Sequence, residues 1–194
     1  WSKDPVTLAG SSAGSGGSST TSTSVNDGST STSEVNNISS TCAQSPISFP
    51  TTGLQRSSIY LANLVAKVFC PTVIGGYRKT AQPGIDKDFH TSGQALDLHF
   101  DADDASQKER GDILFNWCRT DGINLGITQC IWDDQIFTSS RSSEGVRKYS
   151  PPNDYPVNKT TRHRDHVHIT IPSENAKTEQ DFINETNRLL GVNQ

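Results

Sequence analysis

Two stretches of the chain alternate apolar and polar residues with a period of two. In the first, Leu96, Leu98 and Phe100 are apolar and Asp97 and His99 polar; in the second, Val167, Ile169 and Ile171 alternate with His166, His168 and Thr170. That period predicts two half-buried β-strands, each with one face for a core and one for chemistry. Elsewhere the spacing is helical. Leu61, Leu64, Val65 and Val68 predict an amphipathic helix over 54–69, and Asp104 is placed to cap a second helix whose Ile113, Leu114 and Trp117 face inward. Residues 129–137 read as another strand, and 178–190 as a closing helix with Phe182, Thr186, Leu189 and Leu190 on one side. Residues 142–161 have no period and contain Pro151, Pro152 and Pro156, so a long loop walling a cleft is expected. The sum is an α+β domain, a small antiparallel sheet packed with helices.

Composition divides the chain. Only 31% of its 194 residues are hydrophobic, and the shortage lies at the N-terminus, where residues 10–33 are almost wholly Ser, Thr and Gly. Such a segment buries no core and reads as a linker. The expected organisation is a stub of a preceding module over 1–9, a linker over 10–40 and a catalytic domain over 41–194. A net charge of −4 lacks the Lys and Arg surplus that nucleic acid demands. No apolar run approaches the roughly 20 residues of a membrane span. The chain starts at Trp1 and has no Met, so a mature or excised fragment with a signal peptide upstream is expected. Cys42, Cys70, Cys118 and Cys130 contain no C-x-x-C pair, and two disulfides are expected. Cys118 with Cys130 and Cys42 with Cys70 is the favoured pairing of three. With sequons at Asn37, Asn158 and Asn184, this implies a secreted, extracellular protein. A monomer is expected.

The polar faces of the two strands carry the candidate chemistry. If they share a sheet, Asp97 and His168 converge, and His90 lies seven residues before Asp97. Two imidazoles and a carboxylate are the ligand set of a catalytic zinc, which leaves one position for water and lowers that water's pKa to about 7. Asp165, at the mouth of the second strand, is the candidate base. His99 and His166 are candidates for orienting the ligands, and His163 is expected to be exposed or substrate-facing.

The motif His90-x-x-Gly93-x-Ala95-x-Asp97, followed by Asp165-x-x-His168 and preceded by Gly76-Tyr77-Arg78, resembles the zinc peptidases that include D-Ala-D-Ala carboxypeptidases and phage endolysins. The resemblance implies their fold, zinc held by His90, Asp97 and His168, and substrate contact by Arg78. Asp88 stands where that family usually has serine, and Asp165 where Glu is more common. A longer resemblance, over residues 70–171, is to a secreted domain of filamentous fungi and actinobacteria. It adds Ile131-Trp132-Asp133-Asp134-Gln135-Ile136-Phe137, Arg141 and the block from His163 to Ile169. Fungal members are muramidases, often attached by a Ser/Thr/Gly linker to a wall-binding module. This implies cleavage of the glycosidic bond between N-acetylmuramic acid and N-acetylglucosamine in bacterial peptidoglycan. Asp165 and Asp97 would then be catalytic, and Trp132, Gln135 and His166 would join Arg78 in binding substrate. The alternatives are a zinc peptidase cutting stem peptides and a non-catalytic wall-binding protein that keeps the metal for stability.

Overall fold

The computed structural model describes Val35 and residues 47–82, 88–152 and 155–192. Residues 1–9, the span 10–40 apart from Val35, and Cys42 lie outside the described residues. Six strands are described: β1 (Ile74–Gly75), β2 (Ala95–His99), β3 (Gln129–Trp132), β4 (Gln135–Thr138), β5 (Arg147–Lys148) and β6 (His166–Thr170). They form one sheet in the order β1-β2-β6-β3-β4-β5, with every neighbouring pair antiparallel.

The two alternating stretches are adjacent in that sheet. Asp97 pairs with His168, Leu96 with Ile169 and Leu98 with Val167. Directly opposite residues share a face, so the register sends Leu96, Leu98, Val167 and Ile169 into the core, each 0% exposed. Asp97, His168, His99 and His166 are thereby left together on the other face.

Three helices whose residues are described pack into the core, α1 (Arg56–Val68), α2 (Ala105–Thr120) and α3 (Glu179–Leu189), and Val35 is buried there too. Leu61, Leu64, Val65 and Val68 of α1 are buried. The Asp104 side chain caps α2 by accepting the Gln107 N–H, and Leu114 and Trp117 point inward while Ile113 is partly buried. A reciprocal box between Thr178 and Asp181 starts α3, which buries Phe182, Thr186 and Leu189. Tyr60 of α1 meets Phe182 with ring centroids 5.9 Å apart. The architecture is α+β. None of the described helices is long and apolar enough to cross a membrane.

Two expectations are corrected here. The single strand expected over 129–137 is a hairpin, turned at Asp133-Asp134 with φ of 43° and 62°. Two positive φ values are the signature of the tight type I′ turn, for which Asn-Gly would have been the legible signal. In this chain the strain is offset because Asp133 and Asp134 donate their N–H groups to the carbonyls of His163 and Arg162. Second, Cys118 and Cys130 are buried free thiols rather than a disulfide. They lie side by side, and burial together with Cys118 pushes the Cys130 thiol up, away from the thiolate that disulfide exchange requires. Cys70 is disulfide-bonded, with its partner outside the described residues.

Candidate functional site

The site is assembled from a turn, two strands and a loop. Gly93 closes the turn: its φ is +69°, and a Cβ there would lie 2.0 Å from the Gly53 carbonyl oxygen. Its own carbonyl accepts the Gln55 N–H and the Ser58 hydroxyl, seating the turn on the start of α1. Within the turn Asp88 is buried, with a side chain only 2% exposed. Its carboxylate accepts the N–H groups of Gln82 and His90, each at 3.0 Å, and pairs with Arg78 Nε at 3.3 Å. Burial pushes its pKa up, but those hydrogen bonds and Arg78 more than offset this and hold the carboxyl below its ordinary range.

His90 is thereby aimed. Its Nδ1 lies 2.6 Å from the Gly76 carbonyl oxygen, which can only accept, so Nδ1 carries the proton and Nε2 presents a lone pair. That lone pair faces Asp97 Oδ1 at 3.3 Å and His168 Nδ1 at 3.2 Å, and the last two atoms are 2.9 Å apart. His90, Asp97 and His168 are therefore a compact group able to hold a metal ion. The fit is good on two counts. The three separations approach the roughly 3.3 Å edge of a tetrahedron with zinc-ligand bonds of about 2.0–2.1 Å. Moreover, a lone pair held against a carboxylate oxygen is an unfavourable pairing that a cation relieves. Burial opposes the charge of Asp97, yet its hydrogen bond with His168 and the imidazoles around it bring its pKa well below the ordinary value. His168 is pushed down by burial in spite of Asp97, which keeps the imidazole neutral as a ligand must be.

Above this group opens a cleft of about 500 Å³. Arg78 and Phe89 line one part, and Tyr149, Tyr155 and His163 another, with Ile131 and Ile136 also contributing. His163 adopts φ +52° and its ring stands 4.9 Å from that of Tyr149 and 4.7 Å from that of His166. Burial, then His166 and His168, push its pKa down to about 2, and its Nδ1 is buried without a partner. The sequence showed neither this depth nor the two tyrosines, whose only signal was their position around Pro151-Pro152 in the aperiodic loop.

The other expected site residues divide. His166, 8% exposed in its side chain, brings Nε2 to 3.7 Å from Asp97 Oδ1 and Nδ1 to 2.7 Å from Asp165 Oδ1. Asp165 sits one residue ahead of β6, at the expected strand mouth, but its other oxygen accepts the Thr160 hydroxyl at 2.6 Å. Burial raises its pKa, and the bonds from Thr160 and His166 more than offset that and lower it. Trp132 is not a sugar platform. It is 0% exposed, packs on Gly111, and donates its Nε1–H to Asp112 Oδ1 at 2.8 Å. Gln135, directly opposite Trp132 in the hairpin, is exposed and does not line the cleft. The reason is register: Ile131 and Ile136 take the cleft face, which turns Trp132 and Gln135 to the other. Arg141 is exposed and paired with Glu144.

No curated protein and no solved structure matches the chain significantly. One family does, described as VldE, C-terminal domain, over residues 50–163. The match includes Arg78, Asp88, His90 and Asp97 and ends at His163, ahead of Asp165, His166 and His168. Since it spans more than half of the 194 residues, this chain belongs to the VldE C-terminal domain family.

Proposed function

We propose that the protein is a secreted peptidoglycan hydrolase of the muramidase type, cutting the glycosidic bond between N-acetylmuramic acid and N-acetylglucosamine, with zinc at His90, Asp97 and His168. The longer resemblance, over residues 70–171, favours the sugar bond over an internal peptide bond, and the Arg78–Asp88 pair is the observation that speaks against a carboxypeptidase. Arg78 is the sole cation among the described cleft residues, and Asp88 already matches its charge at 3.3 Å. A carboxypeptidase must recognise a free terminal carboxylate, which calls for an unmatched cation. An internal bond between neutral sugars calls for none, and hydroxyl and amide groups at Tyr149, Tyr155, Thr160, Thr161, Gln82 and Gln129 suit such a chain.

When bound, zinc would supply a Lewis acid that activates water and polarises the group under attack. The side chains of the site supply the rest. Arg78, held by Asp88, hydrogen-bonds substrate without binding it as an anion. A second reading, a zinc endopeptidase cutting stem peptides, is favoured by the compact His90, Asp97 and His168 group itself. Mass spectrometry of fragments released from purified, borohydride-reduced peptidoglycan tests the two. Disaccharide-peptides ending in reducible muramic acid are expected; intact glycan strands with severed peptides would replace the glycosidase with the peptidase.

A further inference from the structure

We propose that His166 is the residue that hydrogen-bonds the attacking water in this site, and that Asp165 is a positioning residue acting through it. The proposal rests on the hydrolase reading and holds for either bond.

The geometry runs in one line from Thr160 to the cleft. The Thr160 hydroxyl donates to Asp165 Oδ2 at 2.6 Å, and Asp165 Oδ1 takes His166 Nδ1 at 2.7 Å. An ionised carboxylate only accepts, so Nδ1 carries a proton, and in the neutral ring Nε2 is the acceptor. That acceptor faces the cleft, 3.7 Å from Asp97 Oδ1, beside the group that could hold the metal. The ring cannot easily turn away. It is 8% exposed in its side chain and flanked by the rings of His163 at 4.7 Å and His99 at 5.7 Å. Asp165, by contrast, has both oxygens engaged and is not among the cleft-lining residues. A group in that state is poorly placed to receive a water of its own. The arrangement is that of a carboxylate fixing the tautomer and direction of a histidine, whose loss costs about 10–100-fold in comparable outer-shell positions.

The test begins with the wild-type protein. Long-range nitrogen-proton NMR correlation of His166 is expected to show the Nδ1–H tautomer, and an Nε2–H tautomer would overturn the proposal. Kinetics on soluble peptidoglycan then compare His166→Phe, His166→Gln and Asp165→Asn, each checked by circular dichroism. His166→Phe is expected to lower kcat on the order of 100-fold with KM little changed, and His166→Gln, which keeps an acceptor at the ε position, to recover part of the loss. Asp165→Asn is expected to cost roughly 10-fold in the wild-type background and nothing further in the His166→Phe background. An equal cost in both backgrounds would mean that Asp165 reaches the reacting water directly. If the wild type releases no fragment of any kind, the hydrolase reading and the water-binding role both fall, whereas wild-type lysis by His166→Phe overturns the role alone.

Discussion

Replacing Asp88 tests whether one buried carboxylate holds both His90 and Arg78. In Asp88→Ala the N–H groups of Gln82 and His90 lose an acceptor at 3.0 Å each. A stranded buried donor costs about 1–3 kcal/mol, with the lower end fitting Gln82, which is only partly buried. Arg78 is 34% exposed, so loss of that pair adds no more than about 1 kcal/mol after screening. The total is roughly 3 kcal/mol, which at about 2–4 °C per kcal/mol for a domain of this size lowers Tm by around 10 °C. The pH dependence carries the sign. A carboxyl whose folded pKa lies below its unfolded value of 3.8 stabilises the fold above pH 3.8, and this contribution is lost as pH falls through the folded pKa. Calorimetric melts of both proteins at pH 7 and at pH 3 should therefore show a gap that narrows in acid. A Tm within 2 °C of the wild type at pH 7, or a gap that widens in acid, would refute the account. Asp88→Ser, which retains one acceptor, should fall about half as far while leaving the Arg78 charge unmatched, so its affinity for carboxylate-terminated peptides should rise.

Three further outcomes follow from the same geometry. Zinc added to metal-free protein should raise Tm by about 8–16 °C at a free concentration a thousandfold above Kd, where linkage contributes about 4 kcal/mol; His90→Ala should abolish the rise, and an unmoved wild-type Tm would argue against the metal site. Trp132→Phe should cost about 1–2 kcal/mol through the lost bond to Asp112 with KM unchanged, as read by urea unfolding and fragment-release kinetics, whereas a raised KM with intact stability would restore Trp132 to the substrate. Gly93→Ala, which forces a Cβ against the Gly53 carbonyl at positive φ, should lose more than about 3 kcal/mol, and a variant that melts like the wild type would show that the turn has room to shift.

What was legible in the sequence was whatever a short period encodes. The alternation at 95–100 and 166–171 determined which residues face the core, and an antiparallel pairing of the two stretches was enough to bring Asp97 to His168. Capping chemistry located the start of α2 because Asp104 satisfies a local donor, and helical spacing located α3. The hairpin at Asp133-Asp134 escaped because its turn is stabilised by a loop thirty residues away in sequence, a contact no local pattern carries. Trp132, expected against substrate beside Gln135 and Arg141, is turned inward by the register of β3 against β4, which no local pattern carries either. The environment of Asp165 was equally hidden, since Thr160 reaches it only through the fold of an aperiodic loop.

That loop has to be rigid for the Thr160–Asp165–His166 line to direct anything, and the structure shows what holds it. Lys159 pairs with Asp101 and Asp103, Arg162 with Asp134, and Arg164 with Asp103 and Asp133. Each is an exposed or partly exposed pair that contributes little by itself, and salt would weaken all of them. The backbone contacts are less easily lost: Asp133 and Asp134 donate to His163 and Arg162, and Ala102 donates to Arg164. Both sides of Asp165 are thus fixed, the hairpin turn and the 101–104 segment gripping the residues before it and β6 beginning directly after it. A side chain oriented this way before substrate arrives has no reorganisation left to make, and that preorganisation is where an electrostatic site draws its effect. The positive φ values at Asp133, Asp134 and His163 are then intelligible as local strain beside the candidate site, sustained because each member of the turn and loop holds the other.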